Sequence, residues 1–193
     1  MRGTTCDPCH LKGATTEGAA MRPDPPYQGD EATTLCGFLD YHRAMLREKC
    51  ADLSAEQLSR TLPPSDMTLG GMLKHLAVVE SSWFSEDLLG ESLIAPFDTV
   101  DWAADRDWEW HTAHEDGPAE LLGLYDSAIA RSQQITEELL ATETGLDTLS
   151  VATSRTEEHY TLRWILVHML EEYAQHNGHA DLIREAIDGR TRF

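Results

Sequence analysis

Four separate stretches of this chain carry apolar residues at spacings of three, four and seven, each about twenty residues long and bounded by proline or glycine. That period marks an α-helix with one apolar stripe, and such a stripe must be buried against another element. Four of them in one chain predict an all-α, four-helix bundle over residues 30–190. The first helix begins near Asp30 and carries Leu35, Phe38, Leu39, Met45 and Leu46; Leu62-Pro63-Pro64-Ser65 closes that region. Thr68 is a natural N-cap for a second helix through Leu69, Met72, Leu73, Leu76, Val79 and Trp83 to about Gly90. The third starts at Pro118, proline being suited to a first turn, and runs through Tyr125, Ile129, Ile135 and Leu139 toward Gly145. The fourth spans Leu162 to about Ile187, with Asp188-Gly189 as its stop.

Between the second and third helices, residues 91–117 lose the period and gather Trp102, Trp108 and Trp110. A connection that long usually covers something, so this loop, with a short helix in it, is expected either to wall a site or to anchor itself through its aromatics. No strand pattern stands out. Residues 1–29, rich in Gly, Pro, Thr and charge, read as a flexible arm, and Met21-Arg-Pro-Asp reads as an alternative translation start.

At 193 residues the chain is long enough to bury a core without staples. Its formal charge of −19 disfavours nucleic acid and anionic lipid as partners. No leader-like or membrane-spanning apolar run is visible, so a cytoplasmic protein is expected, with helix faces left over for a homodimer. Cys6, Cys9, Cys36 and Cys50 are then expected to be reduced. Cys6-Asp-Pro-Cys9-His10 has the spacing of a c-type haem attachment, which that compartment excludes; zinc capture by the arm is the alternative. Cys36 and Cys50 lie about four turns apart on one helix, too far to share a site, and read as packing residues.

The chemistry-bearing segment is His168-Met-Leu-Glu-Glu172-Tyr-Ala-Gln-His176-Asn-Gly-His179. His168, Glu172, His176 and His179 share one helix face within an arc of about 80°. Unpaired burial of such groups costs several kcal/mol, about 2–7 for each neutral polar group, and a metal ion satisfies imidazole and carboxylate together. Glu172 and His176, four apart, can converge on one ion, and His75, flanked by core-spaced leucines, is the candidate third ligand from the second helix. The spacing is equally compatible with a hydrogen-bonded core histidine and an ordinary polar network on the fourth helix. Glu80, about 140° around the helix from His75, is expected to pair with a neighbouring helix instead.

The string Thr68-Leu-Gly-Gly-Met-Leu-Lys-His75-Leu-Ala-Val-Val-Glu80-Ser-Ser-Trp83-Phe84, together with His168 to Arg184-Glu, resembles the DinB-like superfamily of metal-binding four-helix bundles. The resemblance covers about residues 30–190 and implies a metal site at His75, Glu172 and His176. Many members carry histidine where this chain has Glu172. The His, Glu, His version is similar to that of mycothiol-dependent maleylpyruvate isomerase and the mycothiol S-transferases. The resemblance therefore implies a divalent metal, zinc first and nickel or iron as alternatives, with mycothiol as thiol cofactor and a small electrophile as substrate. His168 and His179 are expected to line the site or support its ligands, and Arg184 is the fourth-helix candidate for a cofactor contact. The expected activity is metal-dependent conjugation or isomerisation of an electrophile by the thiol; hydrolysis of a small amide or ester, and a non-catalytic metal- or ligand-binding bundle, are the alternatives.

Overall fold

A computed structural model describes residues 22 and 24–191. Most of the expected arm, Cys6, Cys9, His10 and the Met21 start lie outside the described residues. Four long helices form the bundle: α1 (Glu31–Cys50), α3 (Leu69–Glu80, continued by a π-helical segment, Ser81–Leu88), α5 (Pro118–Leu140) and α6 (Leu162–Asp188). Two short helices, α2 (Ala55–Leu58) and α4 (Trp108–Thr112), sit in the connections. The bundle expected from the apolar period is the one found, and α5 stops at Leu140, short of Gly145.

The sequence sets these boundaries through local hydrogen bonds. Asp30 accepts from the amide of Thr33, Thr68 from that of Gly71 and Thr161 from that of Trp164, each relieving one of the unpaired N–H groups at a helix start. Gly189, at φ 77°, closes α6 in the left-handed conformation that glycine adopts without strain. Leu39, Leu46, Leu73, Leu76, Phe84, Tyr125, Ile135, Leu166, Met169 and Tyr173 are buried together in the centre. There α1 packs chiefly on α6, and α3 on α5.

One polar group crosses that centre. Arg43 of α1 forms a two-pronged pair with Glu80 of α3, Nε to Oε1 and Nη2 to Oε2 both 2.7 Å. Tyr173 of α6 donates to Glu80 Oε1 at 2.8 Å, and Tyr125 of α5 donates to the Arg43 carbonyl at 3.0 Å. All four long helices are thereby joined through one buried ion pair. Burial pushes both phenols well above their usual range, so they remain protonated donors.

A feature not expected from the sequence is an antiparallel hairpin, β1 (Leu149–Thr153) with β2 (His159–Thr161). A two-stranded ribbon is marginal by itself. Here β1 docks on the π-helical end of α3, with Val151 against Gly90. Ser150 is turned inward, accepts from the Tyr160 amide and donates to the Ala152 carbonyl. Five residues with one buried position give too short an alternation to be read as a strand, which is why the sequence did not disclose it. Among the described residues, no helix is long and apolar enough to cross a membrane.

Candidate metal centre

The segment Leu73-Lys74-His75-Leu76-Ala77 puts leucines into the core and leaves His75 at the edge of that stripe, facing α6. From α6 come Glu172 and His176, one turn apart. The three side chains converge: one donor atom from each lies within 4.8 Å of the other two, and they form the one such group of His, Cys, Asp and Glu among the described residues. Ligands on a common zinc, each about 2.0–2.2 Å from it, stand at most about 4.4 Å apart, so small side-chain adjustments close the set. Their side chains are 23%, 27% and 12% exposed for His75, Glu172 and His176, which leaves one side of the cluster reachable from solvent.

The electrostatics suit metal donors. Burial, followed by the neighbouring His75 and His179, lowers His176 to about 4. Its imidazole is therefore neutral at pH 7 and carries a lone pair. Its Nδ1 is buried with no hydrogen-bond partner, and its Nε2 is 3.6 Å from Glu172 Oε2, too long for a hydrogen bond. A cation between His176 Nε2 and the Glu172 carboxylate would meet both of those groups, while Nδ1 lies on the other edge of the ring.

His75 is held differently. Its Nδ1 lies 2.9 Å from Oε1 of Glu109, a buried residue of α4, leaving Nε2 as the ring's other nitrogen. Trp110 packs on the same ring, centroids 4.9 Å apart, and reaches His176 at 6.1 Å. It fits because position 71 is glycine: a Cβ there would stand 2.5 Å from Trp110 Cε3. The tryptophan-rich connection therefore does both things expected of it, since Trp102 and Trp108 pack with Phe97 while Trp110 walls the cluster. Glu109 did not emerge from the sequence; a lone carboxylate between two tryptophans in a five-residue helix was the signal available.

The remaining predicted residues fall around this centre at different distances. His168 is stacked on Trp164 at 5.0 Å and meets Trp83 edge-on at 4.6 Å, with Nε2 3.7 Å from Glu172 Oε1. His179 is exposed, its ring 6.0 Å from that of His176. Arg184 is buried in the joint between α6 and the end of α1: it donates to the carbonyls of Lys49 and Ala51 and pairs with Asp188. Those contacts differ from the expected cofactor contact, and their reason is plain, since the last turn of α1 leaves carbonyls that need donors. A groove of about 420 Å³ with Cys36, Asp40, Arg43 and Glu137 in its wall touches none of the three donors. Among the described residues the convergent donor set is His75, Glu172 and His176, away from that groove.

Fold and site together define a class: a four-helix bundle with a candidate metal-ligand set between two of its helices. More narrowly, the sequence matches the family model described as mycothiol-S-transferase over residues 34–189, and the chain belongs to that family. This bears out the DinB-like resemblance. No curated protein matches the chain.

Proposed function

We propose that this protein is a metal-dependent mycothiol S-transferase that joins the mycothiol sulfur to an electrophilic small molecule. The observation that carries this reading is the convergence of His75, Glu172 and His176, open on one side, in a member of the mycothiol-S-transferase family. Two imidazoles and one carboxylate are a donor set for zinc, with nickel or iron accepted by the same groups. Such an ion, when bound, lowers the pKa of a thiol so that the nucleophilic thiolate is present at neutral pH.

The residues supply the rest. His176 presents a neutral imidazole, His75 offers a second ring nitrogen, and Glu172 offsets the charge of the ion. His168, fixed between Trp83 and Trp164 beside Glu172, is the further imidazole base to which we assign uptake of the thiol proton. In the reaction the sulfur loses its proton, a C–S bond forms at the electrophilic carbon, and either the leaving group departs or the adjacent carbon takes a proton. Trp110 keeps bulk water from the side of the cluster it covers.

The test has two stages. Elemental mass spectrometry of tag-free protein is expected to give about one metal per chain, lost in His75→Ala and His176→Ala. The metal-loaded protein is then mixed with a chromogenic aryl halide and either mycothiol or glutathione. Faster conjugation with mycothiol supports the proposal; no metal in the wild type, or no rate above the uncatalysed one, overturns it.

A further inference from the structure

Glu109 is a carboxylate in an unusual place. Its side chain is 7% exposed, Oε1 meets His75 Nδ1, and Oε2 is buried with no hydrogen-bond partner. An ionised carboxyl removed from water to that degree costs several kcal/mol unless something recovers it. Its one hydrogen-bond partner is the imidazole of a candidate metal ligand. A neutral imidazole has a single N–H, and if that proton sits on Nδ1, Nε2 keeps its lone pair for an ion. A carboxylate behind a ligating histidine also raises its basicity and holds its plane.

The surroundings fix Glu109 in turn. On one side of it Trp108 lies under the ammonium of Lys74, 4.3 Å from the ring centroid, and Lys74 also bonds Thr112 and Asp116 at 2.8 and 2.5 Å. On the other, Trp110 fills the space above Gly71. The short helix α4 is thus pinned to α3 at three successive residues, with the carboxylate in the middle.

We propose that Glu109 is the positioning residue of the metal centre: it selects the Nδ1–H tautomer of His75 and sets the ring so that Nε2 faces Glu172 and His176. The inference rests on the metal-site reading above, and its test separates the two. Zinc affinity is measured by chelator competition for wild type, Glu109→Gln and Glu109→Leu, beside the thermal unfolding of each without metal. Glu109→Leu, which removes the acceptor, is expected to bind zinc about 10–100-fold more weakly. Glu109→Gln, whose amide oxygen still accepts from Nδ1–H, is expected to keep most of that affinity. A purely packing role predicts instead that affinity follows the unfolding temperature in both variants.

Wild-type protein alone gives an independent check should Glu109→Leu fold poorly. Nitrogen-15 spectra of the histidine rings in the zinc-loaded protein are expected to show His75 protonated at Nδ1 and metal-bound at Nε2. Metal on Nδ1, or zinc held as tightly by Glu109→Leu as by wild type, overturns the assignment of Glu109 and leaves the site standing. No zinc in the wild type overturns both.

Discussion

Two buried polar clusters lie in this bundle, and they are built on opposite principles. Around Arg43 and Glu80 every strong group is met: two charged hydrogen bonds between the pair, one from Tyr173, and a carbonyl capped by Tyr125. Around His75, Glu172 and His176 the groups converge but do not bond, and buried atoms of His176 and Glu109 lack partners. A satisfied network rigidifies the fold, whereas an incomplete one in a well-packed chain is incomplete for a reason. The first cluster ties helices together; the second leaves donor atoms of three side chains close to one another and unbonded.

The comparison breaks most visibly at Glu80. Glu80→Ala strands the Arg43 guanidinium and the Tyr173 hydroxyl in the core, and is expected to cost about 3–5 kcal/mol in urea unfolding. The double variant Arg43→Met, Glu80→Met, which removes both charges, is expected to recover most of that loss. If Glu80→Ala costs less than about 1 kcal/mol, the network is not the structural tie described.

A smaller effect is expected at His176, where the sign of the pH dependence is fixed by its lowered pKa. In metal-free protein the folded state resists protonation down to about 4, while the unfolded chain takes the proton near 6.5. Between those values the unfolded state binds more protons, so stability drains away as pH falls and is fully present above 6.5. By pH 5 the loss attributable to this group is about 1–2 kcal/mol. His176→Gln is expected to remove that part of the slope between pH 7 and 5, measured in chelator. An identical slope in wild type and variant breaks the picture of a buried neutral imidazole.

The smallest effect concerns two thiols of α1 that are buried to different depths. Burial raises Cys50 to about 12, and its sulfur faces the Leu69 carbonyl, while Cys36 is half-buried and raised mainly by burial. Peptide mapping after alkylation at pH 8 is expected to find Cys50 unmodified and Cys36 modified slowly. Rapid labelling of Cys50 would mean that the packed end of α1 opens more readily than its contacts imply.

Much of this architecture is legible in the sequence because it is local. Asp30, Thr68, Thr161 and Gly189 mark helix ends by bonds that reach only three or four residues, and Glu172 and His176 meet through the pitch of one helix. What the sequence conceals is carried by contacts between distant residues. The bond from Glu109 to His75 spans 34 positions and that from Arg43 to Glu80 spans 37. An interhelical partner for Glu80 was foreseeable from its angle on α3, whereas its identity was not. The hairpin is held by its packing on the π-helical segment, a contact between distant residues that leaves no periodic trace in its own short strands.

The missing side chain at position 71 has a consequence for how this family is free to drift. Because the indole of Trp110 occupies the volume a methyl group would need at Gly71, neither position can change by itself without opening a void or forcing a clash. Across diverging relatives the two sites are expected to be inherited as a matched pair, a larger residue at the first accompanying a smaller one at the second. Although 39 positions separate them in the chain, they form a single heritable unit, and its correlated substitutions would record how the wall beside the His75, Glu172 and His176 cluster has been resized during descent.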